Sequence, residues 1–141
     1  MKRYLSLDIG DATIGVAVSD LLGLTAQGVE TIRRTELSQD LDRLGTLVQE
    51  YEVHAFVAGL PKHMNGEEGE RCAVVRSFMA EAGARFPQLE IHYWDERLST
   101  VAASRALLEG DVSRRKRRKV IDKMAAVYIL QGFLDRQQNM K

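Results

Sequence analysis

The stretch Tyr4-Leu5-Ser6-Leu7-Asp8-Ile9-Gly10-Asp11-Ala12-Thr13-Ile14-Gly15-Val16-Ala17-Val18-Ser19-Asp20 holds two alternating apolar runs around a short polar turn at Asp11-Ala12. Such a pattern predicts a β-hairpin. Leu5, Leu7 and Ile9 share one face of the first strand, and Asp8 stands between them on the other. Ile14, Val16 and Val18 continue the apolar face. Gly15, Ala17 and Ser19 make the opposite face a floor of small residues that a second element or a ligand can approach closely. A carboxylate beside such a floor suits a metal ion or a phosphate-bearing ligand. A solvated Asp before a turn explains this stretch equally well, so the rest of the chain must decide.

Outward from the hairpin, Gln27 to Arg33 alternates weakly and reads as a third, edge-like strand. Ser38 can cap a helix with the stripe Leu41, Leu44, Leu47 and Val48. Val53 to Leu60 is almost continuously apolar, as expected of a strand buried on both faces of a parallel sheet. Pro61 ends it, and the loop Pro61-Lys62-His63-Met64-Asn65-Gly66 follows at the strand's C-terminal edge, where open α/β sheets bind ligands. Glu67, Glu68 and Glu70 open a helix at its positive dipole end, with Val74, Val75, Phe78, Met79 and Ala82 inward and Gly83 as a stop. Leu89 to Trp94 forms a fifth strand that runs into Asp95-Glu96-Arg97. Ser99 or Thr100 caps a further helix that stops at Gly110. A polar loop carrying Arg114 to Lys119 comes next, and a last helix spans about Val120 to Gln137. Three antiparallel strands followed by βαβ units give a mixed five-stranded sheet with helices on both faces, a ribonuclease H-like α/β fold.

At 141 residues the chain is expected to form one domain, residues 1–141. Apolar residues make up 45% and charged residues 28%, enough for one packed core and unlike a disordered chain. The formal net charge is zero, so any attraction to a polyanion must be local. Cys72, the single cysteine, excludes an internal disulfide and a cysteine-built zinc site, and fits a reducing compartment. No apolar run reaches membrane-spanning length and the N-terminus lacks a signal-peptide core, so the expected location is cytoplasmic, with no membrane partner.

Three acids fall where this topology brings chain ends together: Asp8 on the central strand, Glu96 after the last strand, and Asp122 early in the final helix. Asp122 shares a helical face with Ala125, Ala126, Ile129 and Phe133, which should pack on the sheet. A charge turned that way needs compensation. Carboxylates without cysteine or an obligatory histidine select a hard cation, Mg²⁺ or Mn²⁺. Two such ions about 3.5–4 Å apart could clamp the attacking and leaving oxygens of a phosphodiester. Asp95 competes with Glu96, because strand alternation cannot turn both inward. Arg114, Arg115, Lys116, Arg117, Arg118 and Lys119 form a basic run suited to the phosphate backbone. Lys62, His63, Asn65 and Arg97 are further candidate nucleic-acid contacts.

Together, Leu7-Asp8-Ile9-Gly10 with Ile14 to Asp20, Gly59-Leu60-Pro61-Lys62-His63-Met64-Asn65-Gly66, Asp95-Glu96-Arg97-Leu98-Ser99-Thr100 and Ile121-Asp122-Lys123-Met124-Ala125-Ala126-Val127 resemble the bacterial YqgF/RuvX-like family. The similarity covers nearly the whole chain, in order and with the family's spacing. The family is ribonuclease H-like, related to the RuvC resolvases, and associated with Holliday junction resolution and with processing the 5′ end of pre-16S ribosomal RNA. The resemblance implies a metal-dependent phosphodiesterase acting on structured nucleic acid and leaving 5′-phosphate and 3′-hydroxyl ends. It makes Asp8, Glu96 and Asp122 the family's acidic residues. It also implies structured RNA as the preferred partner, with a pre-ribosomal particle or branched DNA as further partners, and a monomer or a homodimer. Ala12-Thr13 stands where members commonly carry Lys-Arg, which removes a phosphate contact. Two other readings fit the chain: an actin-like ATPase or sugar kinase, which needs two such domains, and a non-catalytic ribosome-assembly factor.

Overall fold

A computed structural model describes the backbone of residues 2–99 and 114–140, and the side chains of 2–99 and 124–140. The alternating runs become β1 (Tyr4–Ile9), β2 (Thr13–Ser19) and β3 (Ala26–Arg33). After α1 (Leu37–Glu50) come β4 (Ala55–Leu60), α2 (Glu70–Arg85), β5 (Glu90–Asp95), a 3-10 turn (Glu96–Leu98) and α3 (Arg114–Asn139). The sheet order is β3-β2-β1-β4-β5. β1 pairs antiparallel with β2 and β2 with β3, whereas β1–β4 and β4–β5 are parallel. The expected mixed sheet of the ribonuclease H-like arrangement is therefore present.

Two apolar layers hold the sheet. On one face Leu5, Leu7, Ile9, Ile14, Val16 and Val18 pack with Phe56 and Leu60 against Leu41, Leu44 and Leu47 of α1 and Val75, Phe78 and Met79 of α2. On the other, Ala17, Val57 and Trp94 meet Ala126, Ile129, Leu130, Phe133 and Leu134 of α3. The small residues matter there. The Ser6 hydroxyl donates to the Ala126 carbonyl at 2.7 Å, so helix backbone comes down onto strand β1. Gly132 allows the same closeness over β5, because a methyl group there would stand 2.8 Å from the Trp94 ring.

Several element ends differ from the sequence reading. The first helix begins at Leu37 rather than after Ser38, and the buried Asp40 carboxylate accepts the Thr35 N–H beside its entry. The second begins at Glu70, after Gly69, which leaves Glu67 and Glu68 in the preceding loop. Gly83 does not stop it; the missing side chain lets the helix sit against β5, where a methyl group would lie 3.1 Å from Ile91 Cδ1. Arg114 to Lys119 are the first turns of α3 and not a loop, in keeping with the good helix propensity of Arg and Lys. The helix expected between Thr100 and Gly110 lies outside the described residues. Among the described residues, no helix is long and apolar enough to cross a membrane.

Phe56 is fully buried, with its ring 5.8 Å from that of Phe86 in an edge-on contact. Phe56→Ala is expected to lower unfolding free energy by about 3–5 kcal/mol, read as a fall in the urea midpoint with an unchanged slope.

Candidate active site

Asp8 is the penultimate residue of β1, paired with Gly15 on β2. On its other side the parallel register Leu7↔Ala58 brings Asp8, one step on, level with Gly59 of β4, and Gly59 pairs with Trp94 of β5. Glu96 opens the 3-10 turn directly after β5. A methyl group at Gly59 would stand 2.7 Å from Glu96 Oε2 and would overlap Ile129 Cδ1. The Glu96 carboxylate therefore reaches back over β4, on the α3 face, toward the position of Asp8. Both acids are buried, each 6% exposed. Gly59 is a residue to which the sequence reading gave no role within the strand Val53 to Leu60. A glycine inside an apolar strand signals close approach of another group.

The course of α3 locates the third acid along the chain. Tyr4 stacks edge-on with Phe133, ring centroids 5.1 Å apart, and Ser6 bonds to Ala126. Helix and strand thus run in opposite directions, and the next same-face residue of β1, Asp8, falls level with the turn before Ala126. Position 122 is on that turn, while the Asp122 side chain lies outside the described residues. Among the described residues, no three His, Cys, Asp or Glu side chains form a metal-type cluster.

Asp95 is engaged elsewhere. Alternation from Trp94 turns it to the opposite face, where its carboxylate caps the 3-10 turn through the Arg97 N–H at 3.0 Å. The Arg97 guanidinium grips the same carboxylate through Nε at 3.1 Å and Nη2 at 2.7 Å. The Arg97 side-chain hydrogen bonds hold the Asp95 carboxyl below its ordinary value. Arg97 Nη1 also donates to the Met64 carbonyl at 3.2 Å, and Gly66, with φ of 92°, leaves room for the guanidinium. Arg97 is thus a clamp between the turn that carries Glu96 and the β4–α2 loop.

That loop is closed by its own bonds. The His63 N–H donates to the Glu67 carbonyl at 2.9 Å and the Gly66 N–H to the His63 carbonyl at 2.8 Å. The Asn65 side-chain oxygen accepts the Glu67 N–H at 2.9 Å. The His63 ring fills the space a side chain at Gly69 would take, and Lys62 is half-buried. Asn65 and Arg97 therefore shape the loop, while Lys62 and His63 sit on it. The side chains of Arg114 to Lys119 lie outside the described residues.

Chemically, Asp8 and Glu96 offer only oxygen donors, the set a hard divalent cation takes. That donor chemistry fits the Mg²⁺ or Mn²⁺ expected from the sequence, and the absence of a side chain at Gly59 is what lets the Glu96 carboxylate lie over β4.

Gly59→Ala should push the Glu96 carboxylate and Ile129 aside. It is expected to lower the melting temperature and weaken Mn²⁺ binding by at least tenfold in calorimetric titration. The Asp95–Arg97 pair has its own acid signature. A depressed carboxyl pKa contributes stability above the ordinary value of 3.8 that is lost as pH falls through the lower folded value. The wild type should therefore exceed Asp95→Asn in stability near neutrality, and the gap should close in denaturation curves below that range.

A family model described as "RuvX: Holliday junction resolvase" matches residues 2–136. The chain is 52% identical over 140 residues to a Heliobacterium modesticaldum protein, covering 98% of this chain and 92% of that one. With a Symbiobacterium thermophilum protein it shares 58% over 133 residues, covering 94% and 92%. Both carry the name "Putative pre-16S rRNA nuclease". Among solved structures, Thermus thermophilus RuvC in complex with a Holliday junction substrate superposes with a TM-score of 0.59 at 11% identity, over 98% of this chain and 97% of that one. The fowlpox virus Holliday junction resolvase gives 0.51 at 13% identity, over 99% of each chain. At such identities the likeness is one of fold.

Proposed function

The chain belongs to the RuvX family, and from that membership we propose that it is a divalent-metal-dependent nuclease hydrolysing phosphodiester bonds in structured nucleic acid. Processing of pre-16S ribosomal RNA is the role favoured, because the relatives are named for it, and the sequence resemblance points to its 5′ end. The observation that carries the reading is the burial of Asp8 and Glu96 on one face, with Glu96 lying over Gly59, where the ends of β1, β4 and β5 meet. The whole chain acts as one cytoplasmic domain.

Asp8, Glu96 and Asp122 would hold Mg²⁺ or Mn²⁺. When bound there, such ions lower the pKa of water and neutralise charge on the scissile phosphate. Asp8 presents its carboxylate from near the end of the central strand, where its backbone pairs with Gly15 of β2. Glu96 is held by the 3-10 turn that Asp95 and Arg97 stabilise. Lys62 and His63, on the loop that Arg97 ties down, approach the strand backbone from one side. Arg114 to Lys119, on the first turns of α3, supply a basic run for the phosphate backbone, giving salt-sensitive binding. The Ala12-Thr13 turn offers no cation, so phosphate contact rests with these segments.

Holliday junction resolution is the second reading, favoured by the description of the matching family. Symmetric cutting of a four-way junction needs two active sites and hence a homodimer, whereas trimming RNA needs one.

The test offers a 5′-extended 16S precursor fragment and a four-way DNA junction side by side, with Mn²⁺ or with chelator. Asp8→Asn is expected to lower cleavage by about a hundredfold or more, and the chelator to abolish it. The preferred substrate chooses between the two roles. Full metal-dependent cleavage by Asp8→Asn would overturn the site. Intact binding with no cleavage by the wild type would favour the assembly-factor reading.

A further inference from the structure

Arg34 follows β3 and reaches the β1–β2 turn twice. Its backbone N–H donates to the Ala12 carbonyl at 2.9 Å, and its Nη1 to the Gly10 carbonyl at 2.8 Å. Behind it stands Asp40 of α1, only 2% exposed, with Oδ2 3.5 Å from Arg34 Nε and Oδ1 accepting the Thr35 N–H at 3.1 Å. The guanidinium carbon lies 5.2 Å from the ring centroid of Phe78 on α2. One side chain thus joins α1, α2 and the turn that begins two residues after Asp8. Asp11 and Ala12 are exposed. A cleft lined by Gly10, Asp11, Glu70 and Arg71 opens on the turn's α2 side. Packing therefore does little to hold the turn.

We propose that Arg34, anchored by the buried Asp40, is a positioning residue that fixes the end of β1 and with it the Asp8 carboxylate. The proposal rests on the nuclease reading for its consequence but not for its geometry. The guanidinium is suited to the task because its planar fork serves the Gly10 carbonyl and the Asp40 carboxylate at once, from different nitrogens. A lysine ammonium is a single point charge that can satisfy Asp40 but does not reproduce the fork. Removing Arg34 altogether would strand Asp40 in the core and destabilise the fold, which would hide any effect on the site.

Arg34→Lys is therefore the informative variant, with Arg43→Lys, on the Glu30 pair of the outer sheet edge, as control. The expected result is a urea midpoint near wild type and Mn²⁺ affinity lowered about tenfold, as for loss of an outer-shell partner. Cleavage should fall in kcat with KM for nucleic acid unchanged. Amide exchange at Gly10 and Arg34, whose N–H groups close the turn onto Thr13 and Ala12, should quicken at least tenfold in Arg34→Lys and stay unchanged in the control. Wild-type exchange rates in Arg34→Lys, or wild-type Mn²⁺ affinity despite faster exchange, would overturn the positioning role. A wild type that neither binds Mn²⁺ nor cleaves would overturn the nuclease reading, while the exchange rates alone would still decide whether Arg34 holds the turn.

Discussion

Burying a carboxylate against an apolar sheet is costly unless something on the same face compensates it. This fold buries one at the end of β1 and one just after β5, on either side of β4. Asp8 and Glu96 are both almost wholly covered, and each belongs to a hydrogen-bonded segment, one in the central strand and one in a capped 3-10 turn. Much of the surrounding structure serves this arrangement. Small residues thin the sheet's α3 face, Ser6 draws the helix backbone close, and the absence of a side chain at Gly59 lets Glu96 lean over β4. A larger residue at Gly59 would collide with Ile129 of α3 and with the Glu96 carboxylate.

Around this apolar and acidic centre, several of the described arginines are committed to partners within the chain. Arg97 is spent on Asp95 and the Met64 carbonyl, Arg34 on Asp40 and the Gly10 carbonyl, and Arg76 on Glu68. Such engagement suits a site whose loops must hold fixed positions while a polyanion binds, because strand-contacting cations elsewhere can exchange partners without moving the acids. It also fits the zero net charge. Under the proposed nuclease reading, the field that draws nucleic acid is local and comes from the basic run that opens α3.

The relatives and the fold neighbours bear on different levels of this picture. Identity above half over nearly the full length makes the family assignment firm. The resolvase structures, at 11–13% identity, share the path of the chain and so account for where its strand ends converge. Chemistry follows from the side chains that occupy those ends in this protein.

By itself the sequence determined the order and type of nearly every described element, the two faces of the hairpin, and the acids at the edges of the sheet. Those features depend on local periodicity, which a single chain displays directly. It also marked Asp8 and Glu96, because residues at strand ends are placed by topology alone. What only tertiary structure decided were the contacts between elements distant in the chain: Glu96 over Gly59, Arg97 on the β4–α2 loop, and Arg34 beneath the β1–β2 turn with Asp40 behind it. An arginine before a helix and an aspartate in that helix's first turn look like ordinary surface charges in a linear reading. Helix limits were misjudged for the same reason. Gly83 reads locally as a stop, but close packing on Ile91 gives a mid-helix glycine its use, and a run of basic residues reads as a loop although nothing in it interrupts a helix.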